Sequence, residues 1–284
     1  MRPPGNNSSH TTPGGHSDPE KNYLRRVAYP SLTITFLGTG TSSGVPMIGC
    51  SCEVCLSSDK KDNRLRSSIL VQSNNTTLVV DAGPDFRYQM LRAGVKRLDA
   101  ILFTHPHKDH VAGLDDVRAY NFFSHKPMEV WANVLTQEAL KREFSYAFSD
   151  KKYPGLPEIN LNTILMNAFQ VGDIPIVPVA TWHLKMPVLG FRFGSFTYIT
   201  DANRIEADEK NKIKGSEVLV VNALRKNAHI SHFNLQEAVD LAKEVQVPQA
   251  YFTHISHQLG KHEDVNGELP EGIDLAHDGL RLFI

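Results

Sequence analysis

A single six-residue segment limits the folds open to this chain. His105-Pro106-His107-Lys108-Asp109-His110 follows directly on the apolar run Ala100-Ile101-Leu102-Phe103-Thr104. Three imidazoles and a carboxylate therefore stand at the end of an expected strand, with Pro106 in the bend. Donors of this kind suit zinc, manganese or iron rather than calcium or magnesium. Alternate positions aim at one ion, while the adjacent Asp109-His110 pair reaches a second. Four donors do not complete a two-metal site, so further ligands must arrive from later strand ends. That calls for a sheet whose strands converge on one rim. The competing reading, a histidine-rich surface loop, would ask nothing of the remaining strands.

With 284 residues the chain has material for one large α/β domain or two small ones. Neither a repeat nor an internal linker is visible, so one domain over 31–284 is expected behind a leader at 1–30. The leader is rich in Pro, Gly, Asn, Ser and His and reads as disordered, with His10 and His16 solvated. It has no apolar core or cleavage pattern of a secretory signal. No apolar stretch is long enough to span a bilayer, so no membrane partner is expected and the compartment expected is cytoplasmic. A formal charge of −1 provides no global basic field, which argues against a large nucleic-acid partner and leaves a small phosphate ester open.

Short β-branched and aromatic runs bounded by turn residues predict strands at Leu32 to Leu37, Ser68 to Val71, Thr77 to Val80, Ala100 to Thr104 and Met128 to Ala132. Others are expected at Ile174 to Ala180, Gly190 to Phe193, Thr197 to Thr200, Val218 to Val221 and Ala250 to Thr253. Asn74-Asn75 reads as a hairpin turn. Helical spacing covers Asp85 to Ala93, Leu135 to Phe148 and, most clearly, Leu235 to Val245, which Asn234 or His232 would open.

Three later residues extend the metal-binding pattern: His183 behind Val177 to Trp182, Asp201 behind Phe196 to Thr200, and His254 behind Ala250 to Thr253. Taken singly, each reads as readily as a surface or cap residue. Together with the six-residue cluster they form a pattern that resembles the metallo-β-lactamase superfamily over about Leu32 to Ile284. The resemblance implies an αββα sandwich of two mixed sheets with helices outside, and a dinuclear centre at one rim. It implies that His105, His107 and His183 hold one ion, that Asp109, His110 and His254 hold the other, and that Asp201 bridges them. Asp81, after Val79-Val80, matches a buried residue that supports the ligand loop. Two divalent ions about 3.5–4 Å apart share a water, lower its pKa towards neutrality and steady a developing oxyanion. Hydrolysis by a metal-bridging hydroxide is the reaction expected.

All three cysteines fall in Cys50-Ser51-Cys52-Glu53-Val54-Cys55. An odd number cannot pair fully as disulfides. Three thiolates on a tight loop suit one structural zinc, with His257 the best candidate for the fourth ligand, unless the three are incidental. With Gly38-Thr39-Gly40, Gly44-Val45-Pro46, Thr253 to Gln258, Leu269 to Gly272 and Asp278-Gly279, this loop is similar to the phosphoribosyl 1,2-cyclic phosphate phosphodiesterase branch. That similarity implies a structural zinc on Cys50, Cys52, Cys55 and His257, zinc or manganese in the active site, a small cyclic phosphate substrate and a homodimer. His232, before Phe233-Asn234-Leu235, matches an active-site histidine of that branch, suited to binding phosphate or protonating the leaving oxygen. Helix capping is its other reading. His229 has no assigned role, and Arg87 reads equally as an anion ligand or a solvated helix residue.

The expected function is a dinuclear phosphodiesterase in which Asp109, Asp201 and His232 take part in catalysis. The segment from Asn121 to Leu161 does not resemble the branch, and there substrate choice would be set. The alternatives are an RNA 3′-processing nuclease, for which no RNA-gripping arm is visible, and a lactone, thioester or β-lactam hydrolase on the same metals. A metal-binding scaffold without turnover would call for a broken ligand set, and an accessory role in cofactor biosynthesis is compatible with the cysteine loop.

Overall fold

The computed structural model describes residues 29–150 and 153–284, so nearly all of the expected leader at 1–30 lies outside the described residues. In chain order the strands are β1 (Thr33–Gly38), β2 (Ser68–Gln72), β3 (Thr77–Val80), β4 (Ala100–Leu102), β5 (Met128–Ala132), β6 (Ile159–Thr163) and β7 (Phe169–Val171). They continue with β8 (Ile174–His183), β9 (Met186–Phe193), β10 (Phe196–Tyr198), β11 (Val218–Asn222), β12 (Gln249–Thr253), β13 (Ile273–Leu275) and β14 (Arg281–Phe283). Two seven-stranded sheets result, ordered β14-β1-β2-β3-β4-β5-β6 and β13-β12-β11-β10-β9-β8-β7. Both are mixed: β3 to β6 run parallel, as do β10 to β13, and the remaining pairs are antiparallel.

Alternation along the strands explains the layering. Leu78 and Val80 of β3 and Leu102 of β4 face inward, against Phe191, Tyr198 and Val220 of the other sheet. Val79 and Ile101 point the opposite way, onto the helices Phe86–Ala93 and Val134–Glu143. Across the molecule Leu219 and Val221 of β11 meet the helix Leu235–Val245. Strands covered on both faces read as unbroken apolar runs. The layers are helix, sheet, sheet and helix, as the sequence resemblance implied.

Local differences from the expected elements have identifiable causes. The helix expected over Leu135 to Phe148 breaks at Phe144, which leaves helical backbone (φ −109°, ψ 39°) and buries its ring in the outer core. Asn234, not His232, caps the helix Leu235–Val245: its side chain accepts from Glu237 N–H, and the Glu237 carboxylate accepts from Asn234 N–H. β4 stops two residues early because Thr104 N–H donates to the Asp81 carboxylate (2.9 Å), and the Thr104 carbonyl accepts from Leu189 N–H (3.0 Å) of the other sheet. The chain is thus turned toward the gap between the sheets, at the carboxyl ends of the parallel strands.

Candidate metal centre

Seven of the expected metal-binding side chains reach that rim from four places: the loop after β4, the end of β8, the loop after β10 and the residue after β12. Asp109, His110, Asp201 and His254 bring donor atoms within 4.8 Å of one another, and so do His183, Asp201 and His232. The His105 ring lies 4.7 Å from that of His107, 4.2 Å from His110 and 5.9 Å from His183. His105, His110, Asp201 and His254 are buried, Asp109 and His183 half-buried, and His107 is exposed at the mouth.

Asp81 organises the buried half of this cluster. Its carboxylate accepts from Thr104 N–H, from the Thr104 hydroxyl (2.8 Å) and from His110 Nδ1 (2.7 Å). Because the Thr104 hydroxyl spends its proton on Asp81, it accepts from His105 Nδ1 (2.9 Å). Both imidazoles therefore carry their proton on Nδ1 and direct the Nε2 lone pair inward. On His183 the same logic holds, since Nδ1 donates to the Ser231 carbonyl at 2.8 Å. Fixing the tautomer of metal-binding histidines is what such supporting groups do.

A divalent cation fits what these groups leave unsatisfied. His105 Nε2 and His110 Nε2 are buried and have no hydrogen-bond partner. His110 Nε2 lies 3.2 Å from both Asp109 Oδ2 and Asp201 Oδ2, and His254 Nδ1 lies 3.1 Å from Asp201 Oδ2. Burial alone would lower the His110 pKa, yet Asp201, Asp81 and Asp109 raise it well above the ordinary imidazole range, so that without an ion a proton takes the place on Nε2 that a cation would fill. Asp109 and Asp201, whose burial works the other way, are held below the usual carboxylate range by His110 and His254. A pocket with this much negative charge and lone pairs turned inward calls for a positive ion.

The backbone is strained where it delivers these groups. Asp81 (φ 66°), Asp201 (φ 54°) and His254 (φ 54°) are left-handed non-glycine residues, a conformation that concentrates at functional sites. Gly83 lies under the ligand loop: a Cβ there would sit 1.9 Å from the Asp109 carbonyl oxygen.

The cysteine loop forms a second cluster. Cys50 Sγ and Cys52 Sγ lie 3.4 and 3.3 Å from His257 Nδ1, and all four donor groups, with Cys55, fall within 4.8 Å of one another. The three cysteines are free thiols. The contact with His257 lowers the Cys52 thiol to about 6, whereas burial pushes Cys55 up to about 11. His254 and His257 thus sit on one turn and serve different clusters. The scattered motifs also meet: the Thr39 hydroxyl donates to Asp278 (2.9 Å), and buried Arg64 donates to Thr39 and to the Ala276 carbonyl.

His232 stands at the rim with Nε2 3.1 Å from Asp201 Oδ1, and its ring stacks 5.0 Å from that of His254. Arg87 is exposed on a groove with Met90, Leu91 and Phe123. Thr104, Ser231 and Asn203 support the site and were not singled out in the sequence. Thr104 was legible only as the last residue of the run before His105, while Ser231 meets His183 through its carbonyl and carries no sequence signal.

Comparison with known proteins places this geometry. Residues 76–255 match the β-lactamase superfamily domain. A crystal structure of a diphosphatase from the PhnP family superposes with a TM-score of 0.85 at 40% identity, over 90% of this chain and 98% of that one. An octanoyltransferase of Porphyromonas gingivalis is 36% identical over 251 residues, 87% of this chain and 51% of that protein. A ribonuclease Z of Bradyrhizobium diazoefficiens is 39% identical over 85 residues, 29% of this chain and 23% of that protein. The chain therefore spans about half the length of the first of these two curated relatives and under a quarter of the second. No helix among the described residues is long and apolar enough to cross a membrane. The chain belongs to the β-lactamase superfamily, alongside the PhnP-family diphosphatase.

Proposed function

We propose that the chain hydrolyses a phosphodiester or phosphoanhydride bond in a small molecule, cyclic phosphate esters among them. The observation that carries this reading is the convergence of His105, His107, His183, Asp109, His110, His254 and Asp201 on one rim, with buried Nε2 lone pairs unsatisfied. In this reading His105, His107 and His183 hold one divalent ion, Asp109, His110 and His254 the other, and Asp201 both. Zinc or manganese suits that donor set. Bound there, two such ions activate water near neutral pH and offset the charge that develops on phosphorus. Cys50, Cys52, Cys55 and His257 hold a separate structural zinc.

The chain's own residues account for orientation and proton transfer. Asp81 and Thr104 keep His105 and His110 from rotating, so the ligand geometry does not reorganise during turnover. The new P–O bond forms from water, the ester P–O bond breaks, and the departing oxygen takes a proton from His232 Nε2. His232 suits that role because it borders the cluster through Asp201 and is released from helix capping by Asn234. The similarity to a diphosphatase at 40% identity supports phosphoryl chemistry, and the near-neutral charge of the chain favours a small substrate over RNA.

A second reading draws on the octanoyltransferase similarity, which covers most of this chain: the same centre would hydrolyse an acyl thioester. Metal-quantified protein should be assayed on bis(p-nitrophenyl) phosphate, a ribose cyclic phosphate, a dinucleoside diphosphate, an octanoyl thioester and a lactone. Cleavage confined to the phosphate compounds is expected. Hydrolysis of the thioester or lactone alone would overturn the proposal while keeping the metals.

A further inference from the structure

His229 remains unexplained by the reading above, yet its surroundings are specific. Ser231 N–H donates to His229 Nδ1 at 3.4 Å, so that nitrogen is an acceptor and the ring carries its proton on Nε2. His232 Nδ1 lies 3.2 Å from the same His229 Nδ1 and 3.2 Å from Ser231 Oγ. Two ring nitrogens at that separation need one proton between them. With His229 already accepting, His232 Nδ1 supplies the proton of their contact, and Ser231 Oγ, 3.3 Å from His229 Nδ1, lies beside it. The opposite nitrogen, Nε2, lies 3.1 Å from the acceptor oxygen Asp201 Oδ1 and donates to it, so it carries a second N–H, the one available to a departing oxygen.

The loop that carries His229 is built to hold this contact. Arg225 donates to the carbonyls of Asn227 (3.3 Å) and Ala228 (2.8 Å) and to Gln258 Oε1 (3.1 Å). Asn203, two residues after Asp201, donates to the Ile230 carbonyl at 2.9 Å. His229 is thus fixed between the cluster's own loop and the turn that carries His257. Partial burial and the neighbouring His232 and Arg225 keep it below the ordinary imidazole range, hence neutral and able to accept.

We infer that His229 is a positioning residue: its Nδ1 accepts from His232 Nδ1 and holds that ring with Nε2 turned to the departing oxygen. The inference rests on the proposed role of His232. Without the acceptor, the His232 ring is free to rotate, and proton delivery suffers where the leaving group needs it. A p-nitrophenolate departs unaided, whereas a ribose alkoxide does not.

The test compares kcat on bis(p-nitrophenyl) phosphate and on a ribose cyclic phosphate for wild type, His229→Ala and His229→Asn, whose amide oxygen replaces Nδ1 as acceptor. His229→Ala should lower kcat on the ribose ester by about tenfold or more and leave the nitrophenyl ester within about twofold, the pattern of a weakened general acid. His229→Asn should restore the ribose rate, metal content should not change, and His229→Ala combined with His232→Ala should be no slower than His232→Ala alone. Equal losses on both esters, lost metal, or additive losses in the double variant would overturn the inference. If wild type cleaves neither ester, the functional reading has failed instead. The contact is then still decided by the nitrogen shifts of the zinc-loaded protein: an unprotonated His229 Nδ1 is expected, and a protonated one contradicts it.

Discussion

The two donor clusters are built on opposite plans. The histidine and aspartate cluster gathers residues from four strand ends of both sheets, buries most of them, and relies on Asp81 for their orientation. The cysteine cluster takes three donors from six consecutive residues and one from His257, all half-buried. The first exists only if both sheets pack correctly, so it reports on the whole fold. The second closes a loop on itself and ties it to the turn after β12. One site is therefore positioned by the fold, and the other helps to position a piece of it.

The largest expected effect comes from breaking the first cluster directly. Asp109→Ala or His110→Ala should reduce turnover to background, beyond about a thousandfold on the scale of losing a preorganised electrostatic group, with the fold retained by circular dichroism. Substantial activity in either variant would remove the proposed site. Removing support rather than a ligand should cost less. Asp81→Asn keeps the shape but weakens the hold on His110, and about 10–100-fold in metal affinity or activity is expected. An unchanged metal titration would show that Asp81 serves folding alone.

The cysteine cluster should respond in the other currency. Cys52→Ser should lose one equivalent of zinc and lower the melting temperature on the order of 10 °C, because structural metal binding is folding free energy. Turnover per folded molecule should fall far less than in Asp109→Ala. If activity disappears while stability holds, the two clusters are not separate in role.

The smallest effect concerns pH. Burial, with Arg64 3.0 Å away, lowers the pKa of His262 from 6.5 to about 4. Between those values the unfolded chain binds a proton at this residue that the folded chain does not, so stability rises with pH. This contribution is fully present above pH 6.5 and is lost as pH falls toward 4. His262→Gln should show a flatter urea stability profile across that window, and parallel profiles for both proteins would exclude His262 as a source of the slope.

The sequence carried more of the cluster than of its framework. The residues that gather at the rim were readable because imidazoles and carboxylates behind apolar strands are chemically conspicuous. Strands β3 and β5 and the helix Leu235–Val245 were readable because their periodicity and caps agree with their burial. β6, with the pattern Ile-Asn-Leu-Asn-Thr, and β13 were not, since edge strands alternate polar residues and their pairing is long-range. The orientation of the imidazoles was equally hidden. It depends on Thr104 and the Ser231 carbonyl, and on left-handed backbone at three non-glycine residues, none of which has a residue pattern of its own.

The central claim, two clusters with separate tasks, is tested most directly by metal content measured beside diester turnover in three proteins. Wild type should hold about three ions per chain and be active, and Cys52→Ser about two and be active, on the stoichiometry of a dinuclear centre plus one structural zinc. Asp201→Ala should keep the cysteine-bound ion, lose metal from the rim and be inactive. Loss of the cysteine-bound ion in Asp201→Ala, or an active Asp201→Ala protein, would contradict the account.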